Sequence, residues 1–314
     1  METRTLGRSG PGVSLVGLGC NNFGRIPLEA SRKVIDRALD LGITLFDTAD
    51  VYGDRGGSEE QLGEILGSRR KQIVLATKFG MQMDDDGGKK GASRRYITEA
   101  IEASLKRLKT DWIDLYQLHQ PDPATALEET LGALNDLVQA GKIRFIGCSN
   151  LPAAQVTEAA NIAQRNGWAA FISAQDEYSL VVRGIERELI PELERQGMGL
   201  LPYFPLASGM LTGKYKRNEQ PAPGTRMAAV KRLSDRYMTE ANWNKVEELE
   251  AFCAARGRTL LELAFSWLAS RSCVSSVIAG ATKPEQVDQN VQAASWKLTA
   301  EELGTIDRIT TSAR

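Results

Sequence analysis

Four polar side chains of different chemical types lie at the ends of three consecutive stretches that look like short buried strands. FDTADVYG places Asp47 at the end of one stretch with Tyr52 just beyond it, ATK places Lys78 at the end of the next, and QLH ends the third with His119, the only histidine. The carboxyl ends of parallel strands meet at one edge, so a carboxylate, a phenol, an ammonium and an imidazole are expected together. The pattern predicts a site for acid–base chemistry.

These residue types suit the reduction of a carbonyl group. Hydride added to a carbonyl carbon leaves negative charge on the oxygen, and a positioned acid that protonates it contributes about 10²–10⁴ in rate. Tyr52 is the candidate acid, and we expect Lys78 to lower its pKa from the ordinary value of about 10 by stabilising the tyrosinate. Asp47 is expected to pair with Lys78 and keep it charged. His119 is expected to donate a hydrogen bond that orients the substrate oxygen.

The chain around these residues alternates between short β-rich runs and segments with helical spacing. QIVLATK precedes RRYITEAIEASLKRL, for example, and IRFIGCS precedes AAQVTEAANIAQ. About eight such units can be counted, which is the number that closes a (β/α)8 TIM barrel. The opening TRTLGRSGPGVSLVGLG contains a turn signal and predicts an N-terminal β-hairpin. We therefore expect an α/β barrel, with residues 1–314 forming a single domain.

Two stretches are longer than the roughly 2–6 residues of an ordinary β–α connection. One is GMQMDDDGGKKGAS after the third barrel strand, and the other runs from Pro205 to about Thr239. Both should lie on the carboxyl-terminal face of a barrel, where active sites are found. We expect them to cover a substrate or a cofactor, although DDDGGKK is equally consistent with a mobile surface loop.

Composition favours a small-molecule partner. The 39 Lys and Arg residues balance 40 Asp and Glu residues, so no basic field indicates a nucleic acid or an anionic membrane. Cysteines at 20, 148, 253 and 273 are too scattered for a disulfide framework or a zinc pattern, which suits free thiols in a reducing compartment. We find neither the apolar run of a signal peptide nor about 18 consecutive apolar residues, and expect a cytoplasmic protein.

The motifs DTADVYG, LATKFG, LYQLHQPD, CSN and YFPLASGMLTGKY resemble the aldo-keto reductase family, and the match runs from about Arg4 to about Ile309. It is closest to a bacterial and plant branch that includes proteins similar to channel β-subunits. The resemblance implies reduction of an aldehyde or ketone with a nicotinamide cofactor and a hairpin that caps the barrel bottom. It also implies that Tyr52 is the proton donor, tuned and oriented by Asp47, Lys78 and His119.

The resemblance further implies a cofactor site. Ser149, Asn150 and Gln175 match the groups that hold the nicotinamide carboxamide, and Tyr203 matches the aromatic residue under the ring. The other matched positions lie after the first strand, in the loop over the pyrophosphate and at the adenosine site: Gly19, Cys20, Asn21, Asp47, Phe204, Pro205, Leu206, Gly209, Lys214, Gly280, Thr282, Lys283, Gln286, Gln289 and Asn290.

One position departs from many NADPH-preferring relatives. They carry an arginine where this chain has Gln286, and a guanidinium binds a ribose 2′-phosphate in a bidentate manner. Lys283 and Arg226 could supply positive charge instead, so NADPH is the expected cofactor, with NADH use open as well. The residue after His119 is Gln120 rather than a bulky aromatic residue, which indicates an open, polar pocket.

Two other functions compete with this interpretation. VSLVGLGCNNFG suggests a doubly wound dehydrogenase, but Asn22 replaces the third glycine of the G-x-G-x-x-G fingerprint. The second alternative is a regulatory barrel, like channel β-subunits, that binds NADPH and a partner protein with little turnover.

Overall fold

Eight parallel strands form the centre of this computed structural model, which describes residues 1–311. A separate antiparallel hairpin precedes them. In chain order the strands are β1 (Thr3–Thr5), β2 (Gly12–Ser14), β3 (Val16–Gly19), β4 (Leu45–Asp47), β5 (Val74–Phe79), β6 (Ile113–Leu118), β7 (Ile143–Ser149), β8 (Phe171–Gln175), β9 (Gly199–Leu200) and β10 (Val277–Gly280). Strands β3 to β9 pair in sequence order, and β10 pairs with β3.

Backbone hydrogen bonds also connect the two remaining edges of the sheet. The Leu200 amide donates to Cys273 O at 2.7 Å, and the Ser275 amide donates to Leu200 O at 3.0 Å. These bonds join β9 to the segment that enters β10. The predicted α/β barrel is confirmed.

Twelve α-helices occur within residues 1–311, most of them in the connections between barrel strands. They are α1 (Leu28–Asp40), α2 (Tyr52–Leu66), α3 (Arg94–Leu108), α4 (Leu127–Gln139), α5 (Ala153–Asn166), α6 (Leu189–Gln196), α7 (Arg226–Ala229), α8 (Lys231–Tyr237), α9 (Glu240–Ala254), α10 (Leu260–Ala269), α11 (Pro284–Ala293) and α12 (Ala300–Thr311). Apolar spacing explains their orientation; in α1, for example, Val34, Ile35 and Ala38 are buried.

The stretch from Pro205 to Thr239 is more ordered than a loop. It contains a 3₁₀-helix at Ala207–Thr212 as well as α7 and α8. Helices this short are not stable alone, so sequence propensity gives little signal for them. Burial of Met227, Leu233 and Tyr237 supplies the packing that stabilises them here.

Apolar side chains form two layers. The outer and larger layer lies between the strands and the helices, where α10 contributes the fully buried Trp267. The inner layer fills the barrel and consists of Leu6, Val13, Leu45, Ala76, Leu115, Ile172, Leu201 and Ile278. Because Leu6 and Val13 come from the hairpin, this layer continues to the end at which the strands begin.

The hairpin closes that end of the barrel, as expected. The Arg8 amide donates to Gly197 O at 2.8 Å, just before β9, and the Ser14 amide donates to Thr44 Oγ1 at 2.8 Å, just before β4. The Arg4 guanidinium donates to Ala269 O at 2.6 Å and Val274 O at 2.8 Å. The opposite, carboxyl-terminal end is therefore the one left for chemistry.

We predict that Arg4→Ala lowers the free energy of unfolding by about 1–3 kcal/mol, because two partly buried carbonyl groups lose their donor. Urea unfolding followed by circular dichroism measures this difference. Arg95→Ala is the matched control, because the Arg95 side chain is 83% exposed. Equal losses in the two variants would contradict the anchoring role of Arg4.

Candidate active site

A buried ion pair lies at the carboxyl-terminal ends of β4 and β5. The Lys78 ammonium donates to Asp47 Oδ2 at 2.7 Å and to Thr48 O at 2.8 Å, and the two side chains are 0% and 4% exposed. Burial is the largest single effect and lowers the pKa of Lys78, but Asp47 and Tyr52 together raise it by more, so the pKa lies above its usual value. Lys78 therefore remains a charged ammonium at neutral pH.

The second oxygen of Asp47 accepts two amide hydrogen bonds. Gln175 Nε2 donates to Asp47 Oδ1 at 2.8 Å, and Gln117 Nε2 donates to the same oxygen at 3.2 Å. Gln117 is not among the site residues predicted from the sequence. A signal was available, since Gln117 precedes His119 by two positions and alternate residues of a strand face the same side.

Tyr52 stands beside this pair. The Lys78 nitrogen lies 5.0 Å from the centre of the Tyr52 ring, and the centres of the Tyr52 and His119 rings are 5.7 Å apart in an edge-on arrangement. Lys78 lowers the Tyr52 pKa, as expected, but burial raises it by more, so the net shift is upward. The phenol therefore keeps its proton at neutral pH.

Residues 53–56, at the start of α2, form a tight left-handed turn rather than a regular helix, and this turn fixes the position of Tyr52. Gly53 has φ of 68°, and a Cβ at this position would lie 2.5 Å from Phe23 O. Asp54 and Arg55 also have positive φ values, of 59° and 69°. The turn is held from below, because the Ser58 hydroxyl donates to Cys20 O at 2.8 Å. The strained backbone thus places the phenol next to Lys78.

His119 is a neutral imidazole in this site. Burial, with a smaller contribution from the positive charge of Lys78, lowers the pKa of His119 to about 3. The ring therefore carries one N–H donor across the ordinary pH range. Its Nδ1 atom is buried and has no hydrogen-bond partner among residues 1–311.

The residues expected around a nicotinamide form one hydrogen-bonded group with these side chains. Asn150 Nδ2 donates to His119 O at 3.0 Å and to Ser149 Oγ at 2.9 Å, while Tyr203 OH donates to Asn150 Oδ1 at 2.8 Å. Ser149 Oγ donates to Gln175 O at 2.7 Å. These four polar residues are therefore hydrogen-bonded to two of the predicted acid–base residues, to the backbone of His119 and, through Gln175, to the side chain of Asp47.

Asp176 is a further buried acid and is not among the site residues predicted from the sequence. Its backbone oxygen accepts from the Tyr203 amide at 3.0 Å, and its Oδ2 atom has no hydrogen-bond partner in the described chain. Burial raises the pKa of Asp176 to about 8, although the Asn150 amide opposes this shift. No motif distinguishes Asp176 in the sequence; the feature is its burial beside Asn150 and Tyr203.

The residues expected at the adenosine end lie close to the same edge. Gly280 of β10 pairs with Gly19 of β3, which in turn pairs with Asp47.

Gln286 Oε1 accepts from the Thr282 amide at 2.8 Å and from the Lys283 amide at 3.2 Å. Three residues of this group, Lys283, Gln286 and Gln289, are exposed, whereas Asn290 is buried.

Two residues of the expected β3 contact loop behave differently. Asn21 Oδ1 lies 3.0 Å from the position that a Cβ on Gly280 would occupy, so its side chain reaches the adenosine end. Cys20 is fully buried, and its thiol donates to Leu18 O at 3.5 Å. Cys20 therefore presents no side chain to a ligand.

The long segment after β9 folds back over the site. The Phe204 ring packs edge-on against Tyr203 at 5.2 Å, and the Arg226 guanidinium lies 4.8 Å from the centre of the Phe204 ring. At the end of this segment, Arg236 and the Tyr237 hydroxyl donate hydrogen bonds to Glu177. These contacts tie α8 to the segment that leaves β8. The remaining matched residues of the segment are Pro205, Leu206, Gly209 and Lys214, of which Lys214 is exposed.

The shorter loop, after β5, is closed on itself at the same face. The Gly91 amide donates to Gly80 O at 2.9 Å, and the Ala92 amide donates to Asp122 Oδ2 at 2.7 Å. Arg55 and Asp85 form an ion pair at 2.7 Å that joins this loop to the turn after Tyr52.

Comparison with known proteins agrees with this geometry. The model of the aldo/keto reductase family matches residues 15–311. The chain belongs to the aldo/keto reductase family. L-glyceraldehyde 3-phosphate reductase from Escherichia coli (strain K12) is 33% identical over 322 residues, covering 98% of this chain and 92% of the relative. Versiconal hemiacetal acetate reductase from Aspergillus parasiticus is 34% identical over 330 residues, covering 96% and 95%.

A third relative of this aldo/keto reductase has a different kind of name. A probable voltage-gated potassium channel subunit beta from Oryza sativa subsp. japonica is 37% identical over 302 residues, covering 93% of this chain and 91% of the relative. The family membership and the named reductases make this chain an oxidoreductase that reduces carbonyl groups with a nicotinamide cofactor. Within residues 1–311, no helix is long and apolar enough to cross a membrane.

We predict that Asp176→Asn becomes more stable relative to the wild type as pH rises from 5 to 8. Burial holds the folded-state pKa of Asp176 at about 8, far above the unfolded value of about 3.9, so ionisation disfavours folding across this range. Thermal unfolding at both pH values measures the difference. The exposed Asp111 supplies the control variant Asp111→Asn. A difference in Tm that does not change with pH would count against a buried neutral carboxyl.

Proposed function

We propose that this chain reduces aldehydes or ketones to alcohols, with Tyr52 as the general acid, within a single barrel domain of residues 1–314. The observation that carries the proposal is the buried Asp47–Lys78 ion pair beside Tyr52, with its nitrogen-to-oxygen distance of 2.7 Å. Lys78 stabilises the tyrosinate that remains after proton transfer, while burial keeps the proton on the phenol until then. Tyr52 is thus protonated before a substrate binds.

His119 orients the substrate in this proposal. Since burial lowers its pKa to about 3, His119 is uncharged at neutral pH and acts as a hydrogen-bond donor rather than as an acid. The Tyr52 and His119 rings are 5.7 Å apart, so one carbonyl oxygen can be reached by both. Tyr52 would deliver the proton to that oxygen and His119 would fix its direction.

The residues present fit a nicotinamide cofactor, which supplies hydride to the carbonyl carbon when bound. Gln175 Nε2 donates a hydrogen bond to Asp47, which leaves Gln175 Oε1 to accept a hydrogen bond from a ligand amide. His119 Nδ1 is a buried ring nitrogen without a partner among the described residues. We assign the carboxamide to Ser149, Asn150 and Gln175 and the ring face to Tyr203.

NADPH is the proposed cofactor, and use of NADH stays open. The side-chain oxygen of Gln286 already accepts hydrogen bonds from the backbone amides of Thr282 and Lys283. Gln286 therefore supplies neither the positive charge nor the bidentate donor geometry of an arginine. The exposed Lys283 ammonium and the Arg226 guanidinium, which has no carboxylate partner among residues 1–311, provide positive charge for the phosphates.

A second candidate function follows from the relative named as a potassium channel subunit beta. Such a barrel would bind cofactor and a partner protein with little turnover. Purified protein incubated with NADPH and a panel of short aldehydes distinguishes the two, because reduced nicotinamide is consumed only if carbonyl groups are reduced. Tight binding of NADPH without consumption on any aldehyde would favour the regulatory function.

We predict that Tyr52→Phe lowers kcat by about 10²–10⁴ while the Kd for NADPH changes little, because only the proton donor is removed. Stopped-flow absorbance measures the reduction, and fluorescence quenching measures cofactor binding. Tyr116→Phe is the matched control, because the buried Tyr116 hydroxyl has no hydrogen-bond partner within the described residues. A Tyr52→Phe enzyme that loses cofactor binding instead would argue against the proton-donor role.

We also predict that the wild type binds NADPH more tightly than NADH and that Lys283→Ala reduces this preference about tenfold, because one phosphate contact is lost. Fluorescence titration with both cofactors measures the ratio of Kd values. Lys33→Ala removes an exposed charge from α1 and is the control. If the ratio is unchanged by Lys283→Ala, Lys283 does not bind the 2′-phosphate.

A further inference from the structure

Gln117 is a buried amide in the middle of the barrel wall. It lies on β6, paired with Lys78 on one side and with Gly147 on the other, and its exposed fraction is 0%. Its Nε2 atom donates to Asp47 Oδ1 at 3.2 Å. Its Oε1 atom is buried without a hydrogen-bond partner among residues 1–311.

This arrangement has a cost that packing does not explain. A buried acceptor without a partner is destabilising, whereas an apolar side chain of similar volume, such as methionine, would carry no such atom. The orientation of the amide is also fixed chemically. An ionised carboxylate only accepts hydrogen bonds, so the amide must turn its N–H₂ group toward Asp47 and its oxygen away.

The neighbouring strand is adapted to the Gln117 side chain. A Cβ at Gly147 would lie 3.2 Å from Gln117 Cγ and 2.8 Å from Ser173 Oγ. Any larger residue at 147 would press on the stem of Gln117. The backbone of β7 thus leaves the room in which Gln117 reaches across to Asp47.

Gln117 and Gln175 act on the same oxygen of Asp47, and Lys78 acts on the other. Hydrogen bonds to a carboxylate disperse its negative charge and fix its direction. Asp47 in turn opposes the ionisation of Tyr52, since its charge raises the Tyr52 pKa. Removing a donor from Asp47 should therefore make Tyr52 a weaker acid.

We propose that Gln117 is a positioning residue for the reduction, which holds and partly neutralises Asp47 and thereby sets the acidity of Tyr52 through the Asp47–Lys78 pair. This inference rests on the proposed role of Tyr52. Among residues 1–311, the other titratable or charged groups that interact electrostatically with Asp47, Lys78 or Tyr52 are Cys20, Asp50, His119, Tyr203 and Arg226. None of these is altered in the variants below.

The test compares Gln117→Met with Leu115→Met in the full chain. Leu115 also lies on β6 but belongs to the apolar inner layer, so its substitution perturbs packing without touching Asp47. We expect Gln117→Met to lower kcat about tenfold and to move the basic limb of the pH profile of kcat to higher pH, with an unchanged Kd for NADPH. Leu115→Met should move neither quantity. Equal pH profiles for wild type and Gln117→Met would overturn the proposal.

A second variant covers the case in which Gln117→Met does not fold. Gln117→Glu keeps the shape of the side chain but, when ionised, cannot donate to Asp47, so its loss of kcat should grow as pH rises. A loss that is constant with pH would again overturn the proposal. Tyr52→Phe is measured in parallel: if it remains active, the proposed function fails, whereas an inactive Tyr52→Phe with a normal Gln117→Met enzyme rejects only the role of Gln117.

Discussion

The buried ion pair of Asp47 and Lys78 is the constraint on which the rest of the site depends. With the Lys78 and Asp47 side chains 0% and 4% exposed, each charge is stable only while the other is present and the remaining hydrogen-bonding atoms are satisfied. The ammonium also donates a hydrogen bond to Thr48 O, and the carboxylate accepts hydrogen bonds from two side-chain amides. Four barrel strands, β4, β5, β6 and β8, must therefore keep their register for one pair of charges to survive.

The same low polarity that makes the pair costly also tunes its neighbours. Burial keeps the Tyr52 phenol protonated and His119 uncharged, although Lys78 acts on them in different ways. For Tyr52 the positive charge favours ionisation and works against burial, whereas for His119 it disfavours protonation and adds to burial. One fixed cation thus separates the two residues into a proton donor and a neutral hydrogen-bond donor.

Much of this arrangement could be predicted from the sequence, because it depends on local signals. Strand-end motifs located Asp47, Tyr52, Lys78 and His119, and the alternation of β and helical patterns predicted the barrel. Other features depend on contacts between distant segments. Helices α7 and α8 are too short to be stable without Met227, Leu233 and Tyr237 packing on the barrel. The effect of Lys78 on the Tyr52 pKa could be predicted, but the larger and opposite effect of burial could not, since spacing reveals that a lysine is near but not how completely the phenol is desolvated.

The role of Gln117 depends on contacts that local sequence signals do not reveal. In the sequence Gln117 is one of two polar residues, with Asp114, in a mostly apolar strand, and a glutamine there is compatible with a surface strand, a bulge or a buried contact. Only the barrel brings it to Asp47, next to the glycine on β7 that leaves room for its stem. Its orphaned carbonyl oxygen then becomes informative. A barrel interior built for stability alone would fill this position with an apolar side chain, as it does at Leu115 two residues earlier, so the unpaired oxygen reflects a demand from the carboxylate that Gln117 contacts.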